Sequence, residues 1–275
     1  MSNLLWERKE RDGVLIAAHR GTCGANIVQN TWLSCENALQ HGADVVEMDA
    51  ALSRDGIFYA IHDGEELSLW GMKRDVRTLL SREIERFPVM NGLDLFIDQH
   101  LERLEYVLER LRGKCLINID RSWFYWKEMI QFLDKMQMQD QIVLKAPAVE
   151  EYLKELEEAK VPILFMPIIR TVEEWELVKK YDIHTVAVEI IFEDVNAPVV
   201  QPEFIKELHD RKVLAWVNSL TLNDDITLSA LLDDNRAIIN GYDTAWGKLI
   251  DMGFDVIQTD WPALVKKYLE QRTAR

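Results

Sequence analysis

Three apolar runs near the N-terminus of this 275-residue chain each end in side chains that can carry charge or move a proton. Val14-Leu15-Ile16-Ala17-Ala18 runs into His19-Arg20-Gly21, Ala43-Asp44-Val45-Val46 runs into Glu47 and Asp49, and Ile57-Phe58-Tyr59-Ala60-Ile61 runs into His62-Asp63. Glu47 and Asp49 are two apart, so on a strand both point to one face, where their hard oxygens can grip a divalent cation. Asp120, at the end of the next apolar run, is the natural third carboxylate. An imidazole titrates near neutral pH, so His19 and His62 can each take a proton from an attacking hydroxyl or give one to a leaving oxygen.

Such residues need a frame that delivers them together. Further apolar runs lie at Cys115 to Ile119, Gln141 to Ala146, Pro162 to Ile169, His184 to Ile191, Val213 to Val217 and Phe254 to Gln258. Between them stand helical patterns, such as Leu101, Leu104, Val107, Leu108 and Leu111, or Trp126, Met129, Ile130, Phe132 and Leu133. Short continuous runs separated by amphipathic helices predict parallel strands covered on both faces. The expected fold is a (β/α)8 TIM barrel over residues 1–275, whose chemistry belongs at the C-terminal strand ends. Nine runs are one too many, and Ser53-Arg54-Asp55-Gly56 between Asp49 and Phe58 leaves no room for a covering helix. An insertion over the barrel mouth is expected at about 64–100, after the third run, with a helical piece near Ser81 to Phe87. A second excursion is expected between Leu220 and Tyr242, around Asn223-Asp224-Asp225.

Composition narrows the function. The 47 acidic and 32 basic residues give a formal charge of -15, a field that repels nucleic-acid backbones and anionic membranes. The partner expected is a small molecule, and its phosphate is not ruled out, because a bound cation can reverse the potential inside a cleft. Cys23, Cys35 and Cys115 show no paired short spacing and read as reduced thiols. Charged residues fill the N-terminal segment where a signal peptide needs an apolar core, and no run approaches the roughly 20 apolar residues of a membrane span. A cytoplasmic enzyme is the simplest expectation.

The order of these pieces resembles the glycerophosphodiester phosphodiesterases. The resemblance is carried by Ala18-His19-Arg20-Gly21, Asn30-Thr31, Gly42 to Asp49, Asp55-Gly56, His62-Asp63, Asn118-Ile119-Asp120, Trp216-Val217-Asn218 and Gly253 to Pro262. It implies a metal-dependent hydrolysis of a glycerophosphodiester to an alcohol and sn-glycerol 3-phosphate. In it His19 and His62 serve as acid and base, Arg20 holds the phosphate, and Glu47, Asp49 and Asp120 hold Mg²⁺ or Ca²⁺. Trp216 matches a position that lines the pocket. Three positions depart from the pattern: Gln29 replaces a usual Glu, Asp120 a usual Glu, and Ser122 a frequent Lys. Lys145, which closes the Gln141 to Ala146 run, is the expected substitute for that lysine at the phosphate. Glu189 is either a cleft residue or the partner of a buried cation. Alternative readings are a phosphodiesterase for a sugar phosphodiester or a lysophospholipid, and a non-catalytic barrel that binds a phosphodiester.

Overall fold

The computed structural model describes residues 4–159, 161–222 and 226–274. Eight parallel strands close into a barrel: β1 (Leu15–Ala18), β2 (Val45–Asp49), β3 (Leu116–Asp120), β4 (Ile142–Pro147), β5 (Leu164–Ile169), β6 (Ala187–Ile190), β7 (Leu214–Asn218) and β8 (Val256–Thr259). Each strand pairs with its neighbours in sequence order, and β8 closes onto β1 with Ala17 opposite Gln258.

A helix follows each strand and covers it. After β1, Thr31 caps the helix Trp32–Gln40 through a reciprocal bond with Ser34, which satisfies two otherwise unpaired N–H groups. After β2, Leu104, Val107, Leu108 and Leu111 bury one stripe of the helix Leu104–Leu111, as their spacing requires. The helix Leu4–Asp12 precedes β1, and its Leu5 is buried with the apolar side chains of the barrel interior.

The third apolar run is not a barrel strand, which corrects the strand reckoning. Phe58–Tyr59 pairs antiparallel with Ala51–Leu52 in a short ribbon, and Gly56 turns the chain where its N–H bonds Ser53 O at 3.0 Å. The chain therefore leaves the barrel at Ala51, earlier than residue 64, and returns at the helix Leu104–Leu111. The excursion holds a second ribbon, Pro88–Met90 with Phe96–His100, and a helix at Ser81–Ile84 inside the expected helical piece. It has its own small core of Tyr59, Ile61, Leu69, Trp70, Val76, Ile84 and Val89. Phe58 to Ile61 are all buried, as they would be in a barrel strand, and only the missing helix distinguishes the ribbon from such a strand. Of the second expected excursion, Asn223-Asp224-Asp225 lie outside the described residues, and the rest contains the helix Asp234–Asn240.

Candidate active site

The ends of β1, β2 and β3 meet at one mouth of the barrel. Glu47 and Asp49 end β2, both 1% exposed, and Asp120 ends β3 directly opposite Asp49 in register. Ligand oxygens from Glu47, Asp49 and Asp120 lie within 4.8 Å of one another. Glu47 is pushed up to about 7 by burial and by the Asp49 charge, against the pull of Lys145. Three carboxylates at this distance fit a hard divalent cation, since each ionised group offers about four lone-pair sites and the interactions described below leave some free.

The segment after β1 is shaped to hold this cluster. Arg20 has φ +53° and Gly21 φ +76°, and a Cβ on Gly21 would lie 2.5 Å from Ser34 C, so the chain must turn on glycine where it meets the capped helix. The turn directs Arg20 N–H to Glu47 Oε2 at 3.0 Å and brings Arg20 Nε 3.0 Å from Asp49 Oδ2. Asn30, also left-handed at φ +56°, clasps Asp49 twice: its Nδ2 donates to Oδ2 at 2.9 Å and its Oδ1 accepts from Asp49 N at 3.0 Å. The Asn30-Thr31 pair thus fixes a carboxylate and starts a helix in two consecutive residues. Gln29 Oε1 accepts from Arg20 Nη1 at 3.1 Å, and the carboxylate missing at that position is supplied from the excursion, where Glu65 Oε1 lies 3.3 Å from the same nitrogen.

The two histidines come from different structures. His19 follows β1, and its Nδ1 bonds Asp260 Oδ1 at 2.9 Å. Burial opposes its charge, but that bond and the Glu47 and Asp260 carboxylates outweigh burial and raise its pKa. His62 follows the ribbon of the excursion, where Nδ1 bonds the Asp63 carbonyl at 2.8 Å, within electrostatic reach of Asp120 and Glu65. The excursion therefore contributes both His62 and Glu65 to this group of residues.

Two expected substrate contacts, Lys145 and Trp216, are buried. Lys145, on β4, is 2% exposed and packed among carboxylates, its Nζ 2.8 Å from Asp120, 3.0 Å from Glu189 and 3.9 Å from Glu47. Its ammonium is held well above the usual lysine range despite burial, and in turn it keeps Asp120 below the usual carboxylate range. The inward direction of Lys145 on β4 sets its ammonium beside Asp120, within the acidic cluster. Glu189 is the partner of that buried cation. Trp216 is wholly buried in the barrel interior, not on an exposed pocket wall, and its Nε1 donates to Gln258 Oε1 at 3.0 Å.

Arg77, Arg121 and Asp260 carry no role in the sequence expectations, yet each bonds a residue of these segments. Asp63 binds Arg121 Nε at 2.8 Å and Arg77 Nη1 at 2.9 Å, joining the excursion to the segment after β3. The Arg121 guanidinium also lies over the rings of Trp123 and Phe124. Asp260 ends the Phe254 run as His19 ends the first, and that shared position was the available signal.

Comparison with known proteins agrees with the barrel fold. A family model, DUF4996, described as a domain of unknown function, matches residues 165–269. The chain is 31% identical over 107 residues to the mouse protein named lysophospholipase D GDPD3, a match covering 35% of this chain and 31% of that protein. It is 34% identical over 111 residues to a glycerophosphodiester phosphodiesterase of Bacillus altitudinis, covering 38% of this chain and 44% of that protein. The chain thus spans less than half the length of these two curated relatives. A solved structure titled a glycerophosphoryl diester phosphodiesterase, from Parabacteroides distasonis, superposes with a TM-score of 0.77 at 20% identity, over 94% of this chain and 87% of that one. The chain has the barrel of the solved glycerophosphodiester phosphodiesterases and resembles curated members of that family in sequence.

Proposed function

We propose that this protein hydrolyses a small glycerophosphodiester to an alcohol and sn-glycerol 3-phosphate at the mouth formed by β1, β2 and β3. The observation that carries the reading is the convergence of Glu47, Asp49 and Asp120 within 4.8 Å, with Arg20 bound to that cluster and a histidine from each flanking segment. Glu47, Asp49 and Asp120 would hold Mg²⁺ or Ca²⁺, since an all-oxygen set argues against zinc or copper. When bound, such an ion stabilises negative charge on phosphoryl oxygens.

The chain's own residues supply the rest. Arg20 brings a fixed positive charge to the phosphate while Asp49 and Glu65 hold its guanidinium in place. His19 and His62 each carry a proton on Nδ1, because a carboxylate and a carbonyl accept there, which leaves each Nε2 to exchange a proton with substrate. One takes the proton of the attacking hydroxyl or water and the other protonates the leaving alkoxide. Lys145 balances the charge of the acidic cluster that it touches.

A second reading, a lysophospholipid as substrate, rests on two exposed aromatic side chains. Phe124 and Trp261 are each about half exposed and adjoin the segments that carry Arg121 and Asp260, where an acyl chain would find cover. The test is a panel of glycerophosphocholine, lysophosphatidylcholine, a sugar phosphodiester and bis(p-nitrophenyl) phosphate, scored by product released with Mg²⁺ or Ca²⁺ present. Release of sn-glycerol 3-phosphate from glycerophosphocholine is expected. Preference for lysophosphatidylcholine would replace the first reading by the second, and cleavage of none would remove the enzyme reading.

A further inference from the structure

We infer that Asp260 and Asp234 are positioning residues for His19: Asp260 fixes the imidazole, and Asp234, buried behind β8, fixes Asp260. The inference rests on the phosphodiesterase reading above. Asp260 has its side chain 45% exposed, yet its Oδ1 accepts from His19 Nδ1 at 2.9 Å. A half-exposed carboxylate on a free backbone would sample solvent-facing rotamers and lose that bond for much of the time. Here the backbone is not free. Asp260 N donates to Asp234 Oδ2 at 2.9 Å, and Thr259 Oγ1 lies 2.9 Å from both Asp234 oxygens while it accepts from Trp261 N at 2.9 Å.

Asp234 is itself held from two further directions. Trp246 Nε1 donates to Asp234 Oδ1 at 2.9 Å, and Asp234 N donates to Ser219 O, just past β7, at 2.7 Å. The residue is 2% exposed, and these side-chain partners are all neutral. Burying a carboxylate among neutral donors is costly, and here burial pushes it up to about 7. Starting the helix Asp234–Asn240 does not require that cost, because Asp233 already caps it through Arg236 N at 2.9 Å. What Asp234 adds is a rigid link from the β7 end and the Trp246 helix to the residue that holds His19. With Asp260 accepting at Nδ1, the proton sits there and Nε2 is the exchangeable nitrogen, a tautomer that a wandering Asp260 would not enforce.

The test is steady-state kinetics of the intact chain on whichever phosphodiester of the panel the wild type cleaves. Asp260→Ala should lower kcat roughly 10- to 100-fold, the usual effect of losing an orienting partner, with KM little changed. Asp260→Glu should recover part of the loss. Asp234→Asn should lower kcat in the same way, and the double variant Asp234→Asn/Asp260→Ala should fall no further than Asp260→Ala, because both act through one bond. Thr259→Val keeps the side-chain shape and serves if Asp234→Asn does not fold; it too should lower kcat with KM unchanged. Full-rate Asp260→Ala overturns the inference. Multiplying losses in the double variant, or full-rate Thr259→Val where Asp234→Asn is unfolded, overturns the role of Asp234. An inactive wild type removes the phosphodiesterase reading and this inference together, whereas an active wild type with indifferent variants removes the inference alone.

Discussion

The two halves of the barrel interior are lined by the same strands and have opposite chemistry. Toward the N-terminal ends, Leu15, Val45, Leu116, Val143, Leu164, Ala187, Leu214 and Val256 form one apolar cluster with Leu5. Two residues further along, Val45 gives way to Glu47, Val143 to Lys145 and Ala187 to Glu189, all still buried. Because inward side chains recur every second residue, one step of the pleat on these three strands takes the interior from hydrocarbon to an ionic cluster, whereas Ala17, Met166 and Trp216 keep their strands apolar at the same step. The lower half gains stability by removing apolar surface from water; the upper half gathers like charges and has to balance them with Lys145 and Arg20. Stability and chemistry are therefore separated along the strand axis, and substitutions in the two halves should have different signatures.

The largest expected effect is on rate. His19→Ala and His62→Ala should each lower kcat by about 10² to 10⁴ if the two serve as acid and base, and thermal melts should stay near wild type because both side chains sit at the rim. A variant that keeps its rate would reassign the proton transfer, and one that loses its rate and its fold together would blur the division between the halves.

Lys145→Met crosses that division. An exposed lysine would be lost without structural cost, but Lys145 is 2% exposed between Asp120 and Glu189, and removing one partner of a buried ion pair typically costs about 3–5 kcal/mol. Urea unfolding should show this loss, together with a lower kcat. Unchanged stability would mean that the upper half does not depend on charge balance. Leu214→Ala, in the lower half, should cost about 2–5 kcal/mol by the same measurement while kcat of the folded fraction is unchanged. A selective loss of kcat there would contradict the separation.

A smaller effect follows from Asp234, the buried carboxylate at the edge of the upper half. Its folded-state pKa is raised to about 7, above its ordinary value near 3.8, so the folded state binds the proton more tightly than the unfolded chain does. Its contribution to stability is complete below about pH 4 and is lost as pH rises through 7. Melts in EDTA from pH 5 to pH 8 should therefore show a decline that Asp234→Asn flattens. An identical slope in the variant would place the titration elsewhere.

The barrel and the carboxylates could be read from the sequence because both depend on short-range periodicity. β-branched runs with helices between them mark parallel strands, and the two-residue spacing of Glu47 and Asp49 sets their common face. Other features depended on contacts across the fold. The Ile57 to Ile61 run reads as a strand in any context, and nothing local says that it pairs with Ala51–Leu52 outside the barrel. The end of its run places Lys145 near Asp120, but its burial between Asp120 and Glu189 depends on how its direction along the pleat meets the neighbouring strands. Trp216 looked like a pocket wall and fills the barrel interior for the same reason. Glu65, Asp260 and Asp234 reach the site from 45, 241 and, through Asp260, 26 residues away, separations at which sequence spacing carries no geometric information.

The most direct test of the charged upper half as a metal-assisted phosphodiesterase site is the rate of sn-glycerol 3-phosphate release from a glycerophosphodiester. It would be measured on the wild-type chain stripped with EDTA, after return of Mg²⁺ or Ca²⁺, and on Asp49→Asn under the same conditions. The expected result is loss of turnover in EDTA, recovery with the ion in the wild type, and no recovery in Asp49→Asn at matching ion concentration. Turnover undiminished by EDTA, or full recovery in Asp49→Asn, would contradict the assignment of Glu47, Asp49 and Asp120 as the metal-holding carboxylates.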